Sequence, residues 1–199
     1  MKSPMLLFIF LAAGATVAPG QTHWAVDKTH SNVMFTVRHL LISEVTGRFD
    51  DYGVTMTSSK DDFTDASIQA TVNVGSVNTE NERRDAHLRS DDFFNAEKFP
   101  RMTFVSKSIR KIADDNYQLT GDLTIRDVTK EVTFDATLLG VVAAGRMGTR
   151  AGWKASTTLN RFDYNLKWNK TLETGGLVVG KDVTINLNLE FVEQPQRTP

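Results

Sequence analysis

The chain has 199 residues, 40% of them hydrophobic and 24% charged, with a formal net charge of −1. That balance is too apolar for a disordered chain and too polar for a helical membrane protein, and it gives no electrostatic reason to expect nucleic acid as a partner. The absence of cysteine excludes disulfides, thiolate catalysis and thiolate metal sites, so the fold must hold by its core.

Residues 1–20 open with Lys2, continue through an apolar run from Met5 to Ala13 and end in small residues up to Gly20. A positive start, a short apolar core and a small-residue end make a secretory signal peptide. The apolar core, of about ten residues, is too short to span a bilayer. Cleavage is placed after Gly20, with Ala18 as the alternative. Residues 21–199 then form a single domain.

From Trp24 onward, alternation with a period of two dominates. Candidate strands cover 23–27, 30–40, 45–57, 65–75, 100–111, 116–126, 130–142, 149–160 and 182–193. Val33, Phe35, Val37 and His39 share one parity. Leu119, Gly121, Leu123 and Ile125 share another, as do Val132, Phe134, Ala136 and Leu138. In the last strand Val183, Ile185, Leu187, Leu189 and Phe191 face one way, against Thr184, Asn186, Asn188 and Glu190. Two segments break the pattern. Residues 79–90 read as a helix capped by Asn78 or Thr79, and residues 161–181 read as a long loop with one short helical turn. Long strands with one apolar face suggest an all-β fold closed into an antiparallel barrel, which removes edge strands. The apolar face is expected inside. Three Trp and three Tyr are too few for the two aromatic girdles of an outer-membrane barrel, and the polar faces mix both signs of charge.

The four histidines, His23, His30, His39 and His87, have no metal-binding spacing, and there is no nucleophile elbow or phosphate loop. His39 is expected to point inward near a strand end, either satisfied by a neighbouring carbonyl or donating to a ligand head group. His30-Ser31, just after Asp27, reads as a turn and cap. Asp85 and Arg89 have the spacing of a local ion pair. For Arg161 the partner is Asp163, Asp85 or a ligand. Leu88, Phe93, Phe94 and Phe99 either plug one barrel end or form a lid over it. Trp168, Leu166 and Leu177 are placed on the opposite wall of the mouth. Gly121 and Ala136 are small residues among large ones and should leave internal room.

Several segments resemble the bacterial YceI-like family of polyisoprenoid-binding, lipocalin-like barrels. They are Trp24-Ala25-Val26-Asp27 with His30-Ser31, Val45-Thr46-Gly47-Arg48-Phe49, Asp85-Ala86-His87-Leu88, Asp91-Asp92-Phe93-Phe94-Asn95, Phe99-Pro100, Gly121-Asp122-Leu123-Thr124-Ile125 and Arg161-Phe162-Asp163-Tyr164. One departure is Arg126-Asp127-Val128, where the family usually has a glycine in the turn. The resemblance implies an elongated eight-stranded antiparallel barrel, in an exported protein, around a polyprenyl or quinone-like lipid. It also implies transient contact with a membrane or with a membrane b-type cytochrome. The lipid-facing candidates are Phe35, Val37, His39, Phe49, Leu88, Phe93, Phe94, Phe104, Leu123, Phe134, Ala136, Arg161, Trp168 and Leu187. No catalytic residue, metal or other cofactor is expected, and the oligomeric state, homodimer included, stays open. Two other readings remain: an enzyme acting on a lipid or amide in the same cavity, and a filled barrel that binds a partner.

Protein recovered from the periplasm or medium is expected to begin at Gln21 by intact mass. Retention of residues 1–20 in that protein would overturn the signal-peptide reading.

Overall fold

The computed structural model describes residues 20–170 and 177–195. The expected signal peptide, apart from Gly20, and the loop residue Leu172 lie outside the described residues. Eleven strand segments were found: β1 (Thr22–Val26), β2 (Asn32–His39), β3 (Ser43–Phe49), β4 (Tyr52–Ser58), β5 (Ser67–Asn73), β6 (Val77–Asn78), β7 (Arg101–Ala113), β8 (Asn116–Ile125), β9 (Val128–Ala143), β10 (Thr149–Asn160) and β11 (Val179–Gln194). Among the described residues there is one α-helix, α1, at Glu82–Arg89.

All pairings are antiparallel, and β1 joins β11 to close the sheet into an eight-stranded barrel. The long β11 serves two neighbours in succession. Its first part pairs with β2 and its end, Phe191 to Gln194, pairs with β1. Thus β1 and β2 form one interrupted ribbon, and β3 with β4 and β5 with β6 form two more. The 45–57 strand read from the sequence is therefore two segments, broken at Asp50-Asp51.

The three interruptions lie side by side. The amide of Asp50 donates to the Ser76 carbonyl at 3.1 Å, that of Asn73 to the Asp51 carbonyl at 2.9 Å, and Lys28 reaches the Asp51 carboxylate at 3.2 Å. Short polar side chains make the breaks by binding their own backbone. Asp27 accepts from the Thr29 amide, and Asn73 from that of Gly75, before one-turn 3₁₀ segments. The expected turn and cap at His30 is thus present, with the ring 3.1 Å from the Asp27 carboxylate.

A clasp spans the seam at this bend. The Arg150 guanidinium on β10 lies 2.8 Å from the Asp27 carboxylate and bridges it to Glu190 on β11. Arg150 first, then His30 and the Thr29 amide, hold the Asp27 carboxyl well below the usual carboxylate range. Asp27, His30 and Glu190 come close enough to chelate an ion, but the guanidinium already lies between the two carboxylates.

Helix α1 begins later than its sequence suggests. Asn81 caps it, accepting from the Arg84 amide at 3.0 Å, while Glu80 sits outside the helix with a left-handed backbone. Asp85 and Arg89 do not pair. Asp85 turns back to accept from the Thr79 amide and hydroxyl, at 2.9 and 2.5 Å. Arg89 donates instead to the carbonyls of Gly75 and Val77. Backbone groups of Gly75, Val77 and Thr79 beside the helix thus take both side chains in place of a solvated i, i+4 ion pair.

Replacing Arg150 with methionine leaves Asp27 and Glu190 without their counterion, so the variant is expected to melt below the wild type at pH 7. A carboxyl with a depressed pKa stabilises the fold above its ordinary value of about 3.9 and loses that contribution as pH falls further. The gap between the two melting temperatures should therefore shrink as the pH is lowered below about 4. A constant gap from pH 7 to pH 3 would refute this role.

Candidate functional site

Inside the barrel, the inward parities of its eight ribbons enclose an elongated lumen. Phe35, Phe49, Phe104, Leu123, Phe134, Ala136 and Leu187 line it, as the alternation anticipates. Among the lining residues the only polar side-chain groups are the Thr103 hydroxyl and the Trp153 indole N–H. The cavity has a volume of about 150 Å³. For a lumen lined by side chains from all eight ribbons, that is a narrow slot.

The lipid-facing candidates leave out much of the wall, including Ile185 and Phe191, which the alternation had already turned inward. Met56, Ile68, Met102, Ile109, Ile185 and Phe191 also line it. The signal was available, since Val54 and Met56 alternate with Thr55 and Thr57 just as the chosen residues do. Gly121 is the opposite case. A Cβ there would strike the Val105 carbonyl oxygen and meet the Phe104 ring at 2.6 Å, so the space beside this glycine is already filled. Ala136 does border the cavity, between Tyr117 and Ala155 on the adjacent strands.

One end is sealed by an aromatic floor. Phe63, from the turn after β4, stands edge-on to Trp153 at 5.5 Å and packs against Trp24 at 5.7 Å. Tyr117 packs on Trp153 and donates its hydroxyl to the Asp62 carbonyl at 3.0 Å, fixing the turn that carries Phe63.

The other end carries a cap built from α1, residues 90–100 and the segment after β10. Phe94 stacks edge-on against Phe49 at 5.8 Å, and Phe49 lies 5.7 Å from Phe35, so the cap touches the lumen wall through this chain of rings. Phe93 is buried against Trp168 at 5.3 Å, and His87 contacts both. Trp168 therefore belongs to the same cap as Phe93, and is not on an opposite wall. Leu88 packs on the core from the helix. None of Leu88, Phe93, Phe94 and Trp168 borders the lumen directly; nor do Val37 and His39, which are half-buried toward the cap end of β2.

Two arginines hold this cap, and both bind backbone. Arg161 is buried and donates to the carbonyls of Leu166, Trp168, Val179 and Gly180, at 2.5 to 3.0 Å. It has no carboxylate partner among the described residues, and burial pushes its pKa down. The guanidinium fork thus satisfies carbonyls that no strand reaches, a role that residue spacing does not reveal. Arg126, in the β8–β9 turn, donates to the carbonyls of Asp91, Phe93 and Asn165 and pairs with the Asp91 carboxylate at 3.0 Å. Its own backbone is left-handed, at φ 55°, where the turn would favour glycine. Beside the cap, burial first and Asp163 second push the Tyr164 hydroxyl up to about 12.

A family model for the YceI-like domain matches residues 24–191. The chain belongs to the YceI-like family. Among its relatives, UPF0312 protein SAS2572 from Staphylococcus aureus (strain MSSA476) is 39% identical over 171 residues, covering 85% of this chain and 97% of the relative. The Campylobacter jejuni YCEI protein, 28% identical, superposes with a TM-score of 0.67 over 98% of this chain and 100% of its own. Two more distant structures show the fold alone. Burkholderia cenocepacia BcnA has a TM-score of 0.73 at 22% identity, covering 83% of this chain and 98% of its own. A polyisoprenoid binding domain from Saccharophagus degradans has a TM-score of 0.65 at 17% identity, covering 86% and 98%. For this YceI-like chain they bear out the eight-stranded barrel expected from the sequence.

Because the Phe104 ring occupies the space beside Gly121, Gly121→Ala should destabilise the barrel by about 1–3 kcal/mol through overpacking. Adding Phe104→Leu should recover part of the loss in a double-mutant cycle followed by chemical denaturation. Additive effects of the two changes would show that ring and glycine do not compete for one space.

Proposed function

We propose that this protein carries or stores one long apolar lipid, of polyisoprenoid or quinone-like type, in the barrel lumen outside the cytoplasm. The observation that carries the reading is the wall. It is a narrow slot with almost no polar group, enclosed by side chains from every ribbon. Such a surface offers area and shape, not chemistry. Burial is worth about 0.8 kcal/mol per CH₂ group. At roughly −0.3 kcal/mol per heavy atom, a chain of about forty carbons would reach about −12 kcal/mol. The description of the Saccharophagus degradans domain as polyisoprenoid binding supports the same ligand class. The amino-terminal pattern Lys2, Met5–Ala13, Gly20 supports export.

The enzyme reading needs an acid, base or nucleophile aimed at the ligand. The lumen wall supplies no carboxylate, imidazole, amine or serine, and His39 lies off it. The partner-binding reading needs a filled core, whereas the interior here leaves a cavity.

The test is to purify the protein without detergent and analyse its extracted lipids by mass spectrometry, for wild type and Ala136→Phe. A phenyl ring at position 136 projects into the slot between Tyr117 and Ala155. The variant is expected to fold with an unchanged circular dichroism spectrum and to lose the co-purifying lipid. A folded variant with undiminished lipid, or a wild type that never binds polyprenyl or quinone lipids on incubation, would refute the proposal.

A further inference from the structure

We propose that the β2–β3 hairpin is a docking tip that enters the surface of an anionic phospholipid bilayer and sets the capped end of the barrel against it. The inference rests on the reading of the lumen as a lipid site, and it names the face through which that lipid is exchanged. The observation is a turn whose residues oppose its geometry. The Ile42 amide donates to the His39 carbonyl at 3.2 Å, closing a tight turn centred on Leu40 and Leu41. Both central residues are left-handed, with φ of 50° and 65°. Hairpin turns with two left-handed residues favour Asn-Gly, because in that conformation a Cβ crowds the following carbonyl oxygen.

The fold gains nothing from the apolar side chains placed there. Leu41 is 54% exposed and Ile42 86%, the most exposed large apolar residue of the described chain. Leu40 is half-buried, and none of the three belongs to the core or packs against it. A local rule broken without a packing gain points to a contact outside the chain. The tip stands at the capped end. The Leu40 amide donates to the Val178 carbonyl, and the Val178 amide to the Lys170 carbonyl, each at 2.9 Å. The next carbonyls, of Val179 and Gly180, are those that hold the Arg161 fork.

Charge, backbone and area select the occupant. Around the base of the tip the described residues present the exposed cations Arg38, Lys167, Lys170 and Lys181 against the exposed acids Glu44 and Asp182. This local positive excess occurs in a chain whose net charge is −1, and it complements anionic headgroups. The amides of Leu40 and Ile42 already have backbone partners, so the side chains can leave water without stranding these donors in hydrocarbon. A protein partner fits less well. Three side chains on one turn offer far less than the roughly 1,000 Å² that a specific protein interface needs. A bilayer needs no complementary pocket and takes such a tip as it stands.

The purified protein is expected to float with vesicles of phosphatidylethanolamine and phosphatidylglycerol, and to float less at high salt or with phosphatidylcholine alone. Leu40→Asn with Leu41→Gly supplies the favoured turn. This double variant should melt at or above the wild-type temperature, yet bind the anionic vesicles roughly tenfold or more weakly. Lys170→Glu with Lys181→Glu should weaken binding to the anionic vesicles alone. The chain has no cysteine, so one introduced thiol takes a label without background. An environment-sensitive fluorophore on Ile42→Cys should shift to the blue with vesicles. The same label on Ile112→Cys, exposed on β7 near Tyr117 at the floor end, should not. A wild type that ignores the anionic vesicles would overturn the proposal, as would a turn variant that binds them as the wild type does. Extracted lipid keeps the two readings apart. Vesicle binding through the tip without any co-purifying lipid would support the tip and refute the lumen reading, and co-purifying lipid without vesicle binding would refute the tip.

Discussion

Four residue pairs between β1 and β11, from Val26 opposite Phe191 to His23 opposite Gln194, turn a curled sheet into a tube. Everything else rests on that closure. Without it the apolar faces of eight ribbons would meet water along an open slit, and the two outer strands would present free edges. The clasp of Arg150 with Asp27 and Glu190 sits beside this seam, where one ribbon breaks and resumes. A bend there lets β11 hand over from β2 to β1 without leaving the sheet. The adjoining breaks at Asp50-Asp51 and Val74–Ser76 spread the same bend across neighbouring ribbons, so no single strand absorbs it.

Closing the tube's end poses a different problem. The cap is irregular backbone, and its carbonyls have no ladder to join. Arg126 and Arg161 meet this need, each offering several N–H groups in one plane. For Arg126 the requirement overrides local conformational preference. A left-handed backbone costs a non-glycine residue about 1–2 kcal/mol. Charge-assisted hydrogen bonds of about 1.5–3 kcal/mol offset it. Glycine would relax the turn and leave the carbonyls of Asp91, Phe93 and Asn165 without their donor.

The sequence made the barrel legible because its signal is repeated. Val183, Ile185, Leu187, Leu189 and Phe191 announce an inward face, and the same alternation recurs on every ribbon. Features set by one contact between distant segments were not legible. The helix start moved to Asn81 because Asp85 is drawn back to Thr79. Gly121 looked like spare room until the Phe104 ring was found lying across it. Arg161 looked like half of an ion pair, but the carbonyls it serves come from the irregular segment just after it and from the start of β11. Most of the lumen wall stayed off the candidate list for a simpler reason: parity tells inside from outside, but not which inward residues border open space and which pack on one another. Trp153 and Trp24 share an orientation toward the interior, yet only Trp153 reaches the cavity.

The aromatic floor has a bearing on selectivity. A wall without polar groups cannot tell one hydrocarbon from another by recognition, since each methylene meets much the same surroundings. A tube with a fixed bottom can still tell them apart by measurement. The Tyr117 hydroxyl pins the turn that carries Phe63, and Phe63 with Trp153 and Trp24 sets where the slot stops. A chain threaded against that stop is gauged by its length: too short, and part of the wall stays uncovered; too long, and its end must remain outside. Exchanging a single ring at the bottom would then recalibrate the whole tube, with no change to the wall that the chain touches.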